Sequence, residues 1–142
     1  MDGLFDVAGS AITLDRIIAG MLLGGIVAAF ANVILLLTLR RMVPEGIQVV
    51  RPGASKPESV PPLAVIAASG VPALGAGLML LILANYVLQP LPLFVMIALV
   101  LLILSFIAPY RLPVPNRSKG ILILMHFIAA IAIVVGLLAA VN

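Results

Sequence analysis

The chain has no cysteine and no tryptophan, a single histidine, and five acidic residues against eight basic ones in 142 positions. Without cysteine there is no disulfide framework, and no thiolate to bind a metal or attack a substrate. Charge is scarce, at 9% of residues. A water-soluble domain carries roughly 25%, so this chain cannot clothe a water-facing surface. Disorder is excluded from the other side, because 64% of the residues are hydrophobic. The sequence therefore reads as an integral membrane protein with almost no soluble mass.

Four apolar stretches are long enough to cross a bilayer, which takes about 20 residues of helix. They are residues 17–39, 63–88, 91–108 and 120–141. Lipid offers no partner to backbone N–H and C=O groups, so each span must be helical. The runs lack the period-2 alternation of a barrel strand. The fold class expected is all-α, an antiparallel four-transmembrane-helix bundle forming one domain over residues 17–141.

The breaks are well marked. Arg40-Arg41 is expected to stop the first span. Residues 44–62 hold Pro44, Pro52, Pro57, Pro61 and Pro62 with Gly46 and Gly53, which reads as an extended, irregular loop. Gln89-Pro90-Leu91-Pro92 forms a tight turn that makes the second and third helices an antiparallel hairpin. Pro109, Pro113 and Pro115 are expected to keep the third connection out of a helix. Residues 1–16 form a tail in which Leu4, Phe5, Ala8, Ala11 and Ile12 recur at helical spacing. That pattern suggests a short interfacial helix, with Asp2 placed to cap it, or a continuation of the first span. A cleaved signal peptide needs a basic leader, and the leader here is acidic, with Asp2 and Asp6.

Seven of the eight basic residues lie on two loops of the same side: Arg40, Arg41, Arg51 and Lys56, then Arg111, Arg117 and Lys119. By the positive-inside rule both basic loops face the cytoplasm and both termini face out, in a bacterial inner membrane. Topology alone accounts for the basicity, so no nucleic-acid partner is expected.

Lipid tails are as apolar as Leu, so close approach at small residues holds such bundles together. The first helix aligns Gly20, Gly24 and Ala28, with Gly25 and Ala29 in the next row. The second aligns Ser69, Ala73 and Gly77, with Gly70 and Gly75 nearby. The fourth aligns Ala132, Gly136 and Ala140. The third has only Ala98 and Ser105. The first, second and fourth helices are expected to pack closely and the third to face lipid or a partner. Pro72 lies inside the second helix and frees the Ala68 carbonyl, which should kink it.

Polar groups inside a span are costly and so informative. Asn32, Ser69 and His126 each fall about 9–11 Å from the basic-loop edge of their spans, at ~1.5 Å per residue. They are expected to form a polar intramembrane layer inside the bundle, with Ser105 at its border. Interhelical hydrogen bonding is the plainest use of such a layer. His126 is also a candidate axial ligand for a haem or pigment, with Ala129 and Ala130 leaving room beside the ring. As a proton relay it would want a second ionisable group in the membrane, and the spans hold none. No resident cofactor or metal is expected, since one imidazole makes a poor metal site. All five carboxylates lie in the tail, at its junction with the first span, or in the first loop. No paired carboxylate and no phosphate-cradling Gly-rich loop is present, so no enzyme is expected.

At Ala31-Asn32, Val71-Pro72-Ala73-Leu74, Ser105 to Pro109 and Met125-His126 the chain resembles a family of uncharacterised bacterial four-helix membrane proteins, a domain of unknown function. The resemblance covers most of residues 17–141 and implies a fold but no activity. It departs in one respect: that family tends to have a basic N-terminus and a basic connection between helices two and three, which here is uncharged. The function expected is that of a non-catalytic accessory or scaffold subunit of a larger membrane complex, such as a respiratory or photosynthetic assembly. Its partners would be lipids and other membrane subunits, or a second copy of itself. The alternatives are a homo-oligomeric small transporter or channel, and a pigment- or haem-binding subunit using His126. Against a small multidrug-type exporter stands the lack of an intramembrane Glu.

Overall fold

The computed structural model describes residues 12–43, 46–50 and 56–142. The interfacial-helix reading of the tail concerns residues 1–11 and lies outside the described residues, apart from Ile12, which is buried. Four helices or helix pairs are long and apolar enough to cross a membrane. They are α1 (Leu14–Met42), α2 (Pro62–Tyr86), α3 (Pro90–Ser105) continued by the short α4 (Ile107–Arg111), and α5 (Asn116–Val141). The four spans pack against each other as the all-α bundle read from the sequence.

The helix ends correct the sequence reading in a consistent direction. Arg40 and Arg41 do not stop α1; both lie in its last turn. Cations there complement the helix dipole, and their long stems let the charge reach water. At the other end α1 begins at Leu14, with Asp15 in its first turn, where an anion is favourable. Pro109 does not exclude helix. It stands third in α4, where a missing N–H leaves no bond unmade. Pro90 and Pro92 likewise open α3, and Asn116 to Lys119 belong to α5. Gln89-Pro90-Leu91-Pro92 is therefore part turn and part first helical turn.

The α1–α2 loop is more ordered than its prolines suggest. Gln48–Val49 (β1) and Glu58–Ser59 (β2) pair antiparallel, with Gln48 opposite Ser59. Ile47 is fully buried beneath this pairing, beside Leu36, Val60 and Leu122. The Arg40 guanidinium donates to the Val60 carbonyl, and the Gln48 N–H donates to Ser118 Oγ at 3.2 Å. The loop is thus tied to both α1 and α5.

α1 is the hub, with α5 along one side and α2 along another. The small residues set the distances. A β-carbon on Gly24 would lie 2.8 Å from the Ile133 Cα, and one on Gly136 would lie 2.7 Å from the Gly24 Cα. One on Gly20 would meet the Gly136 carbonyl oxygen at 2.8 Å. Backbones touch here, as the Gly20–Gly24–Ala28 row predicts, and dispersion between them does the holding. Toward α2 the fit is looser: Gly25 faces the Ala73 methyl, and Gly77 faces the Met21 thioether. α3 is held differently, with Phe94 as its one buried residue. Of its other large apolar residues, Met96, Leu99, Val100 and Leu104 are among the exposed ones, while Leu91 and Val95 pack half-buried against the core.

Candidate functional site: a polar floor in a lateral cavity

Two apolar clusters divide the interior. One joins Ala28, Ala73, Leu80, Phe94 and Ile133; the other joins Leu36, Val65, Leu122 and Met125 at the basic-loop end. On α1 and α2 the residues between them, one helical turn from each, are Asn32 and Ser69. Asn32 is 3% exposed and Ser69 is 1% exposed.

The hydrogen bonds at this level can be followed atom by atom. Asn32 Nδ2 donates to the Met125 carbonyl at 3.0 Å and, at a long 3.4 Å, to Ser69 Oγ. Ser69 Oγ donates to the Val65 carbonyl of its own helix at 3.0 Å. The amide cannot be reversed, since that would set two acceptor oxygens against each other across the 3.0 Å contact with Met125. Asn32 Oδ1 is therefore an acceptor, and it is buried with no partner. The Ser69 proton is already committed to Val65, so it cannot supply one. A buried, unpaired amide oxygen typically costs about 1–3 kcal/mol.

His126 stands differently from the sequence reading. It is not inside the bundle; the residue is exposed, and Nδ1 lies 2.7 Å from the Leu122 carbonyl of its own helix. A carbonyl accepts only, so Nδ1 carries the proton, and in the neutral ring Nε2 is left as an acceptor. The neighbour that faces Asn32 is Met125, through its backbone. One position along a helix is about 100° of rotation, which carries the imidazole off the α1 side. Ser105 Oγ donates back to the Leu102 carbonyl at 2.7 Å.

These four residues meet again at a cavity. A space of about 590 Å³ lies between α2, α3 and α5, with Asn32, Ser69, Ser105 and His126 in its wall. The remaining wall is apolar, from Val49 and Val60 at the loop end to Met79, Ile133 and Val134 near mid-span. No charged residue lines it among those described. Its volume falls in the range of sites that hold small molecules, roughly 300–1,000 Å³. Exposed lining residues, Ala68, Pro72 and Gly75 on α2 and Leu101 on α3, put its mouth on the face turned toward lipid. Pro72 adds a further acceptor: with no N–H on Pro72, the Ala68 carbonyl lacks its helical partner. Gly70 and Gly75, grouped with the packing residues in the sequence reading, have no neighbour within 4 Å of a β-carbon position. Gly75 is cavity wall, not seam.

As a metal centre the arrangement offers little. Among the described residues no three His, Cys, Asp or Glu side chains converge. What the wall presents is an apolar space with four polar residues, Asn32, Ser69, Ser105 and His126, in its lining.

A family described as "Family of unknown function (DUF6069)" matches residues 12–142. The chain belongs to this family. The match takes in all four spans and every residue of the cavity wall. It agrees with the resemblance seen in the sequence, to a family without an assigned activity. No curated protein and no solved structure matches the chain. The family supplies a fold-level kinship, and functional argument rests on the site itself.

Proposed function

We propose that the protein is a non-catalytic membrane protein that holds an apolar molecule drawn sideways from the bilayer into the cavity between α2, α3 and α5. The observation that carries this reading is the apolar space of about 590 Å³ itself, with exposed residues of α2 and α3 at its mouth. A space of this size with a mainly apolar wall is the form that small-molecule sites take. The loose attachment of α3 favours entry from the side, since Phe94 is its only buried anchor.

A second reading, the accessory subunit of a larger assembly, is favoured by the broad apolar face that α3 leaves uncovered. A bacterial inner membrane with both basic loops in the cytoplasm fits the charge distribution. In that orientation Ser59→Cys, on the exposed β2, is labelled by an impermeant thiol reagent only after the cells are opened.

The test of the leading reading is the mass of the intact particle after extraction in mild detergent. A chain carrying a small apolar adduct supports it, provided Gly75→Phe, which fills open cavity space, loses the adduct. A bare chain from native membranes overturns it. A particle containing other subunits and no adduct moves the weight to the accessory role.

A further inference from the structure

We propose that the cavity takes one acyl chain of an anionic phospholipid from the adjoining leaflet, with the phosphate held at the loop end by Lys119. The inference rests on the cavity reading above and adds the head group and its place. The wall is about one leaflet deep. On α5 it runs from Leu122 to Val134, twelve positions apart, or about 18 Å at ~1.5 Å per residue. Half of a ~30 Å hydrocarbon core is about 15 Å, the depth that an acyl chain of one leaflet spans. The wall begins at Val49 and Val60, beside the basic loops, and ends near mid-span at Met79 and Val134. A chain lying in it along the helices therefore has its head at the basic-loop end.

Lys119 stands where that head would lie. It precedes Leu122 by three positions and His126 by seven, the spacing that keeps residues on one side of a helix, and both of those line the cavity. It continues the lining stripe of α5 outward, about 4–5 Å beyond Leu122 along the axis. Its ammonium lies 5.7 Å from the centre of the Tyr110 ring, on the α4 that continues α3. The charge thus bridges two of the elements that wall the space, at its outer end. Tyrosine is the residue expected at head-group level. A second cation is close by, since Arg40 donates to the carbonyl of Val60, a wall residue. Topology explains why cations gather on this side, but not why one of them extends the cavity stripe. α5 also opens with no acidic residue, so an anion there meets the positive end of its dipole. Net negative charge on the head follows from the surroundings. The described carboxylate at this end is Glu58, on β2, while Arg111, Arg117 and Lys119 flank the α4–α5 connection. The ammonium of a zwitterionic head would meet cations there.

The test is native mass spectrometry of the full chain in mild detergent, titrated with phosphatidylglycerol and phosphatidylcholine bearing the same acyl chains. The unaltered chain is expected to bind phosphatidylglycerol about fivefold more tightly, the effect of one lysine beside an anionic head. Lys119→Gln should bind the two alike. Arg41→Gln removes one charge at the same end from α1, which among the described residues gives the wall only Asn32, and should keep the preference. Gly75→Phe fills the space meant for the chain and should weaken both lipids. Glycerol phosphate, a head without chains, should displace neither. Equal binding of the two lipids by the unaltered chain overturns the head-group inference and leaves the cavity reading to its own adduct test. A preference that survives Lys119→Gln, or falls as far with Arg41→Gln, overturns the placement of the head. Displacement by glycerol phosphate overturns the lipid and marks a site for free phosphate. Binding unchanged in Gly75→Phe overturns the cavity reading as well. The comparison on the unaltered chain stands whether or not a variant folds.

Discussion

The two sides of α5 are built on different principles. Toward α1, glycine meets backbone: Gly20, Gly24 and Gly136 leave no room for a methyl group. Toward α3, the helices hold a space of about 590 Å³ between them, and Gly75 faces open room. One seam is closed by contact along its length, and the other is propped open with Phe94 as the buried anchor of α3. In lipid no hydrophobic force drives two helices together, so a gap persists unless close packing removes it. A protein that needed only to be a stable bundle could have carried the small-residue rows on every helix. This chain carries them on α1, α2 and α5, and gives α3 Leu, Ile and Val instead. In the proposed reading the closed seam is the scaffold and the open one is the site.

Substitutions can break or sharpen that contrast. The largest effect is expected at the closed seam. Gly24→Val drives a branched side chain into the Ile133 backbone, where neither helix can yield, and should lower stability in detergent by about 3 kcal/mol. Thermal unfolding of the purified protein measures it, and an unchanged midpoint would deny that the seam is close-packed. Gly77→Ala should cost less, about 1 kcal/mol, because its neighbour is the flexible end of Met21.

At the junction of the two sides, Asn32→Leu removes two hydrogen bonds and also removes the orphaned oxygen. Interhelical hydrogen bonds in membranes average about 0.6 kcal/mol, so the net change should stay under about 1 kcal/mol. A loss of several kcal/mol would mean that Asn32 is chiefly structural. His126→Leu, at an exposed position, should shift stability by less than about 0.5 kcal/mol. An absorption spectrum adds a separate check on the pigment reading: a band above 350 nm in the native protein, lost in this variant, would restore His126 as a ligand. Gly75→Ala should be the gentlest, neutral or slightly stabilising, since helix propensity favours Ala and nothing obstructs the methyl.

The sequence showed the scaffold more clearly than the site, for physical reasons. Long uncharged runs have one solution in lipid, so the four spans were legible. So were the glycine rows, because only close approach gives them a purpose. The ends were less so. Arg40, Arg41 and Pro109 are breakers by composition, but a terminal cation suits the dipole and a first-turn proline forfeits no bond. Depth could be read from helical rise, which is why Asn32 and Ser69 were placed at one level and are hydrogen-bonded to each other. Rotation could not. α5 is apolar on all faces, so nothing in the sequence told which of Met125 and His126 turns inward. The cavity was hidden for the same reason: Gly75 and Gly77 look alike in sequence, and only packing separates the wall from the seam.

The absence of tryptophan makes the central claim directly measurable, because one introduced indole reports alone. Leu102→Trp places it in the cavity wall, at a half-buried position, and Ile34→Trp places it on the exposed face of α1. Each variant is titrated in vesicles with a bromine-bearing long-chain alcohol, which quenches only on contact. The account predicts saturable quenching in Leu102→Trp at low mole fraction, reversed by excess 1-hexadecanol, and only weak, linear quenching in Ile34→Trp. Equal, non-saturable quenching in both variants would contradict it, and would leave the open side of α5 as lipid-facing surface with no site.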